Sequence, residues 1–155
     1  MNFFKRFLIA VLTVILAISL VACDERTPQS AEGFTDTMES EGFTVVDSTI
    51  FAQTAVTADK VLTALNDNYE IEFYELDCIP TAKDFHQLNK DAFESEDSVS
   101  DNSTEINSSN FDYYDMTSDT GFHLSTRIDN TVIYCYTEAE YKEEIIKLVK
   151  ALGYK

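Results

Sequence analysis

The stretch FDYYDMTSDTGFHLSTRIDNTVIYCYT, Phe111 to Thr137, decides the fold. Three runs rich in aromatic and β-branched residues (Phe111 to Thr117, Phe122 to Ile128, Thr131 to Tyr136) are separated by two sets of turn formers. These turns, Ser118-Asp119-Thr120-Gly121 and Asp129-Asn130, mark an antiparallel three-strand meander. A short turn fixes register, because a slip of one residue would send every side chain to the other face. Leu124 therefore lies opposite Cys135 and Thr126 opposite Ile133, with Phe122 and Ile128 on the same inward side. On the other side His123 faces Tyr136, Ser125 faces Tyr134 and Arg127 faces Val132. The earlier turn sets Met116 beside His123, Tyr114 beside Ser125 and Asp112 beside Arg127.

This second face collects Tyr114, Met116, His123, Arg127, Tyr134 and Tyr136, which makes it the candidate ligand-binding surface. Tyrosines with one apolar and one polar end, close to a basic group, are favoured at binding surfaces. Two plainer readings stand beside that one. Cross-strand aromatic pairs stabilise a solvated sheet face with no ligand, and a helix or an acidic loop can simply cover it.

Outward from the meander, Thr137 and Glu140 read as the capping box of a final helix. Its apolar face is Tyr141, Ile145, Leu148, Val149 and Leu152, and Gly153 ends it. Upstream, Glu94 to Asn110 is dominated by Ser, Asn, Asp and Glu and reads as an acidic mobile loop. Before it, Pro80 opens a helix to about Phe93, with Ala82, Phe85, Leu88 and Ala92 on one face. Strands Val61 to Leu65 and Tyr69 to Leu76 flank the turn Asn66-Asp67-Asn68, and Phe43 to Asp47 is a further strand. Ser48 to Asp59 is undecided between loop and edge, while Phe34, Met38 and Gly42 mark a helix beginning at Ser30. The expected architecture is α+β, a single antiparallel sheet with helices on one face. Ile71 and Tyr74 precede Ile133 and Tyr136 by a constant offset, which fits a duplicated βββα unit or common hairpin chemistry equally well.

The chain opens with Lys5 and Arg6 and then an apolar run from Phe7 to Ala22. That run suits a signal-peptide core and falls short of the roughly 20 residues a spanning helix needs. Leu20-Val21-Ala22-Cys23 resembles the bacterial lipobox, and the resemblance implies cleavage before Cys23 and diacylation of its thiol. The expected organisation is a lipoprotein signal peptide over 1–22, a lipidated N-terminus and tether over 23–32, and an α+β domain over 33–155 with its acidic loop at 94–110. Two acyl chains make a stable anchor at about 0.8 kcal/mol per buried methylene.

Without the leader, 9 basic side chains stand against 28 acidic ones, a balance of −19. Such a field repels nucleic acid and anionic headgroups, so nucleic-acid binding is excluded and the lipid is the expected membrane contact. The remaining expected partner is a cationic protein or a small ligand. Beyond Cys23, Cys78 and Cys135 are either a disulfide, which export permits, or two free thiols. The register puts His123 and Cys135 on opposite sheet faces, so they cannot share a metal. No Gly-x-Ser-x-Gly elbow, His-Glu-x-x-His motif or phosphate-cradling glycine loop occurs, and neither cofactor nor catalytic residue is assigned. Glu70 and Glu72 share one side of a strand, where solvation explains them.

Arg127-Ile128-Asp129-Asn130-Thr131-Val132-Ile133-Tyr134, with Tyr141-Lys142-Glu143 after it, resembles small lipoproteins of Gram-positive type with the same strand–helix ending. The resemblance implies a fold and confers no catalytic residues. The function expected is a non-enzymatic binding or interaction module of the envelope. An accessory subunit of an envelope complex is the alternative, and a hydrolase-type enzyme ranks third.

Overall fold

The computed structural model describes residues 25–52, 57–96 and 102–155. The leader and Cys23 lie outside the described residues, as does the middle of the acidic loop. Seven antiparallel strands form one sheet in the spatial order β1-β2-β3-β7-β6-β5-β4. They are β1 Thr44–Asp47, β2 Ala58–Leu65, β3 Glu70–Leu76, β4 Ser103–Asn107, β5 Phe111–Thr117, β6 Phe122–Ile128 and β7 Thr131–Thr137. The helices are α1 Ala31–Ser40, a single turn α2 Thr49–Ala52, α3 Ile79–Glu96 and α4 Lys142–Ala151.

The meander register is the expected one on every rung: Leu124 faces Cys135, His123 faces Tyr136, Met116 faces His123 and Asp112 faces Arg127. Its turns explain why. Asp129 adopts a positive φ of 50°, which the tight β6–β7 turn requires. A Cβ at Gly121 would collide with the carbonyl oxygen of Thr137, so the β5–β6 turn demands glycine.

Strand alternation then sorts the side chains into two layers. On the front, Phe73, Ile71, Leu124, Ile133 and Cys135 meet Phe34 and Met38 of α1 and Ile145, Leu148 and Val149 of α4. Phe34 stacks on Phe73 with ring centres 5.0 Å apart. On the back, α3 lies over β6 and β7, burying Ala82 against Val61, Tyr74 and Val132, and Phe93 against Tyr114 and Met116.

The sheet is thus single, antiparallel and α+β as expected, but its helices occupy both faces rather than one. This also removes the duplicated βββα unit. β3 and β7 are antiparallel neighbours, so a repeat would be related by a two-fold axis normal to the sheet. That axis would put α3 and α4 on the same face, and they lie on opposite ones.

Two local expectations are corrected, and the open alternative at the cysteines is decided. Thr137 forms the last rung opposite Phe122, so there is no capping box; a 3-10 turn Ala139–Tyr141 leads into α4, whose first turn has no side-chain cap. The acidic loop is shorter than expected, because α3 continues to Glu96 and β4 pairs with β5. Every residue of β4 is exposed, so no apolar alternation betrays the strand; its backbone pairing and the Lys90–Glu105 ion pair at 2.7 Å hold it. Finally, Cys78 and Cys135 are not bridged. Cys78 is exposed beside Thr81 at the start of α3, whereas Cys135 is buried in the front layer and donates to the Glu70 carbonyl oxygen. Burial pushes the Cys135 thiol well above its ordinary range, so it stays neutral.

Candidate ligand-binding groove

The six residues expected to bind a ligand do share the back face, but α3 covers most of it. Tyr114, Met116, His123 and Arg127 are buried and Tyr134 is half-buried. Tyr136, 47% exposed, meets solvent most, stacked on His123 and donating its hydroxyl to Thr120 O. Phe93 fills the centre, within ring-contact distance of Tyr114, His123 and Tyr134. The aromatic face is therefore a helix–sheet interior, not a ligand surface.

The inward stripe of α3 is Ala82, Phe85, His86, Asn89 and Phe93, and it differs from the expected one. Leu88 is 64% exposed and Ala92 also faces water. The helix is rotated because its two inward polar groups find a partner: Ser125 Oγ lies 2.9 Å from His86 Nδ1 and accepts from Asn89 at 3.3 Å. A satisfied polar pair is tolerated in a core, where an unpaired one is costly.

His86 carries a pH consequence. Burial lowers its imidazole from 6.5 to about 4; Asp112 and Glu105 oppose the shift, and Arg127 and Lys90 reinforce it. Between those values the unfolded chain binds a proton that the folded chain does not, so stability rises with pH across that window. The contribution is complete above pH 6.5 and is lost as pH falls toward 4, by about 3 kcal/mol at most. Urea unfolding at pH 7 and pH 5 should show wild type losing more stability than His86→Gln; equal losses would refute the role.

Because α3 sits mainly over β6 and β7, it covers the back of β1 to β3 only in part. There a groove of about 460 Å³ is lined by Val46, Phe51, Leu65, Phe85, Glu70 and Glu72, among others. The sequence reading missed this site. Its one visible signal was Glu70 and Glu72 on a shared strand side; Glu70 is exposed, as solvation explains, whereas Glu72 is half-buried at an apolar wall. Burial raises the Glu72 carboxyl above its ordinary range, the Tyr74 hydroxyl that donates to it at 2.5 Å opposes the rise, and Glu70 adds to it. Tyr74 itself is held protonated by burial and by Glu72.

Two groove hydroxyls are spent on each other: Ser48 Oγ lies 2.8 Å from Thr63 Oγ1. Chemically the groove combines apolar walls with two carboxylates. Isolated acids on a solvated face recognise little, but a desolvated carboxylate beside apolar walls gains strongly from a cation. Asp47, next to groove residue Val46 in sequence, is already matched by Lys60 at 2.5 Å.

No family model matches this chain, and no curated protein sequence matches it. A solved structure from Thermotoga maritima, a GTP binding regulator, is similar over 81% of this chain and 88% of that chain, with a TM-score of 0.50 at 14% identity. At that identity the likeness is one of fold.

Proposed function

We propose that this protein is a lipid-anchored, non-enzymatic binding module of the cell envelope whose β1–β3 groove takes a small ligand with an apolar body and a cationic group. The partly buried Glu72, paired with Glu70 at an apolar wall, is the observation that carries the ligand class. The lipobox residues Leu20-Val21-Ala22-Cys23 support the anchor, and the acidic balance of the chain favours cationic partners over nucleotides or nucleic acid.

Titration calorimetry with 4-phenylbutylamine and 4-phenylbutanoate tests the reading, since the two probes share a body and differ in the sign of the head group. The amine should bind and the acid should not, and Glu72→Gln should erase the discrimination. Affinity for the amine should also decline on acidification, starting above the ordinary glutamate range because the Glu72 carboxyl is raised. Equal binding of both probes by wild type would defeat the proposal.

One observation favours the accessory-subunit reading as a second choice. Ile50 and Phe51, 82% and 81% exposed, project at the groove edge, an apolar surface that a cationic partner chain could cover. In that case Ile50→Ser, which lies outside the groove lining, would weaken a partner and leave 4-phenylbutylamine binding nearly unchanged.

A further inference from the structure

The described end of the tether is clamped to the domain. The Arg26 guanidinium lies over the Phe111 ring at 3.6 Å and donates through Nη1 to Gly153 O at 3.2 Å. Asn110 grips the Arg26 backbone from both sides, accepting from its N–H at 3.4 Å and donating to its carbonyl at 2.7 Å. Gln29 adds contacts to the Tyr154 hydroxyl and to Leu152 O. These bonds seat residues 25–29 at the end of the sheet that carries the β4–β5 and β6–β7 turns. The β2–β3 and β5–β6 turns lie at the opposite end, and the groove runs along the strands from Val61 and Tyr74, nearer the clamped end, to Leu65 and Glu70 at the far one.

Cys23 is two residues before Glu25, a covalent reach of about 7 Å. We propose that the lipidated domain stands on its β4–β5 and β6–β7 turn end against a phospholipid bilayer, with the Leu65 and Glu70 end of the groove held toward the aqueous side. The proposal rests on the lipid-anchor reading. A flexible tether would let the acidic domain tumble away from anionic headgroups, but a clamped one fixes which end stays close. The seven-residue strands span about 23 Å, so the far end stands more than two Debye lengths from the headgroups at physiological salt. The acidic end of the groove would then be free to draw cationic solutes without competition from the membrane surface.

The chain contains no tryptophan, so a single introduced one reports its own surroundings. Ser109→Trp marks the clamped end and Asp119→Trp the far end, both at exposed turn positions. Each variant is extracted with its native lipid, weighed by mass spectrometry, and placed in phosphatidylcholine vesicles containing headgroup-nitroxide lipid. Loss of emission at Ser109→Trp with retention at Asp119→Trp is expected, and adding Arg26→Ala and Asn110→Ala should level the two. Equal quenching in the otherwise native chain, or stronger quenching at Asp119→Trp, overturns the orientation and leaves the anchor standing. Persistence of the difference without the clamp overturns the clamp as its cause. A mass lacking acyl chains overturns anchor and orientation together.

Discussion

Replacing Asp112 with alanine is expected to destabilise the fold by roughly 3–5 kcal/mol, the usual cost of breaking a buried ion pair from one side. Arg127 has no exposed surface, and its charge is balanced in place by Asp112, which accepts from Nε at 2.7 Å. Nη1 donates to Asp129 O at 2.9 Å, and Nη2 is buried with no hydrogen-bond partner among the described residues. Without Asp112 the guanidinium would be an uncompensated cation beneath α3, close enough to His86 to act on its imidazole. The double variant Asp112→Ala, Arg127→Met should recover most of the loss, because a buried pair exchanged for apolar volume is often neutral or better. Urea unfolding of the two variants separates these cases. A single variant within about 1 kcal/mol of wild type would mean that water reaches the guanidinium and screens it.

What could be read in the sequence divides along a physical line. Register was legible because Asp129-Asn130 and Gly121 constrain the backbone locally, and a period of two then assigns every side chain to a face. The Arg127–Asp112 pair follows from that register alone. The placement of α3 was not legible. Its inward stripe includes His86 and Asn89, whose burial depends on Ser125 some 36 to 39 residues away in sequence, so apolar periodicity pointed instead to Leu88 and Ala92. β4 failed for a related reason: an edge strand exposed on both faces has no alternation to detect. The groove is a tertiary remainder. It exists because one helix is too narrow to cover a seven-stranded sheet, and no property of Glu70 or Glu72 in isolation announces it.

Phe93→Ala is expected to cost roughly 3–5 kcal/mol locally, and the way it destabilises should differ from a front-layer substitution. Phe93 is the residue by which the second half of α3 holds the back face, packed on Tyr114 and Met116 and touching the rings of His123 and Tyr134. The front layer does not use it. There Phe34, Phe73, Leu124 and Ile133 form a separate and larger cluster with α1 and α4. Truncating Phe93 should therefore loosen the end of α3 before the sheet opens, giving a local transition beneath the global one. Native-state hydrogen exchange reads this directly: amides around residues 88–96 should lose protection in Phe93→Ala while those of β3, β6 and β7 keep most of theirs. Uniform loss of protection across α3 and the sheet would instead show that the two layers unfold as one unit. It would also mean that the tyrosine-rich back face is never bared short of global unfolding. The expected local opening makes the opposite prediction for that face: a state in which Tyr114, Met116 and His123 meet solvent while the sheet that carries them remains intact.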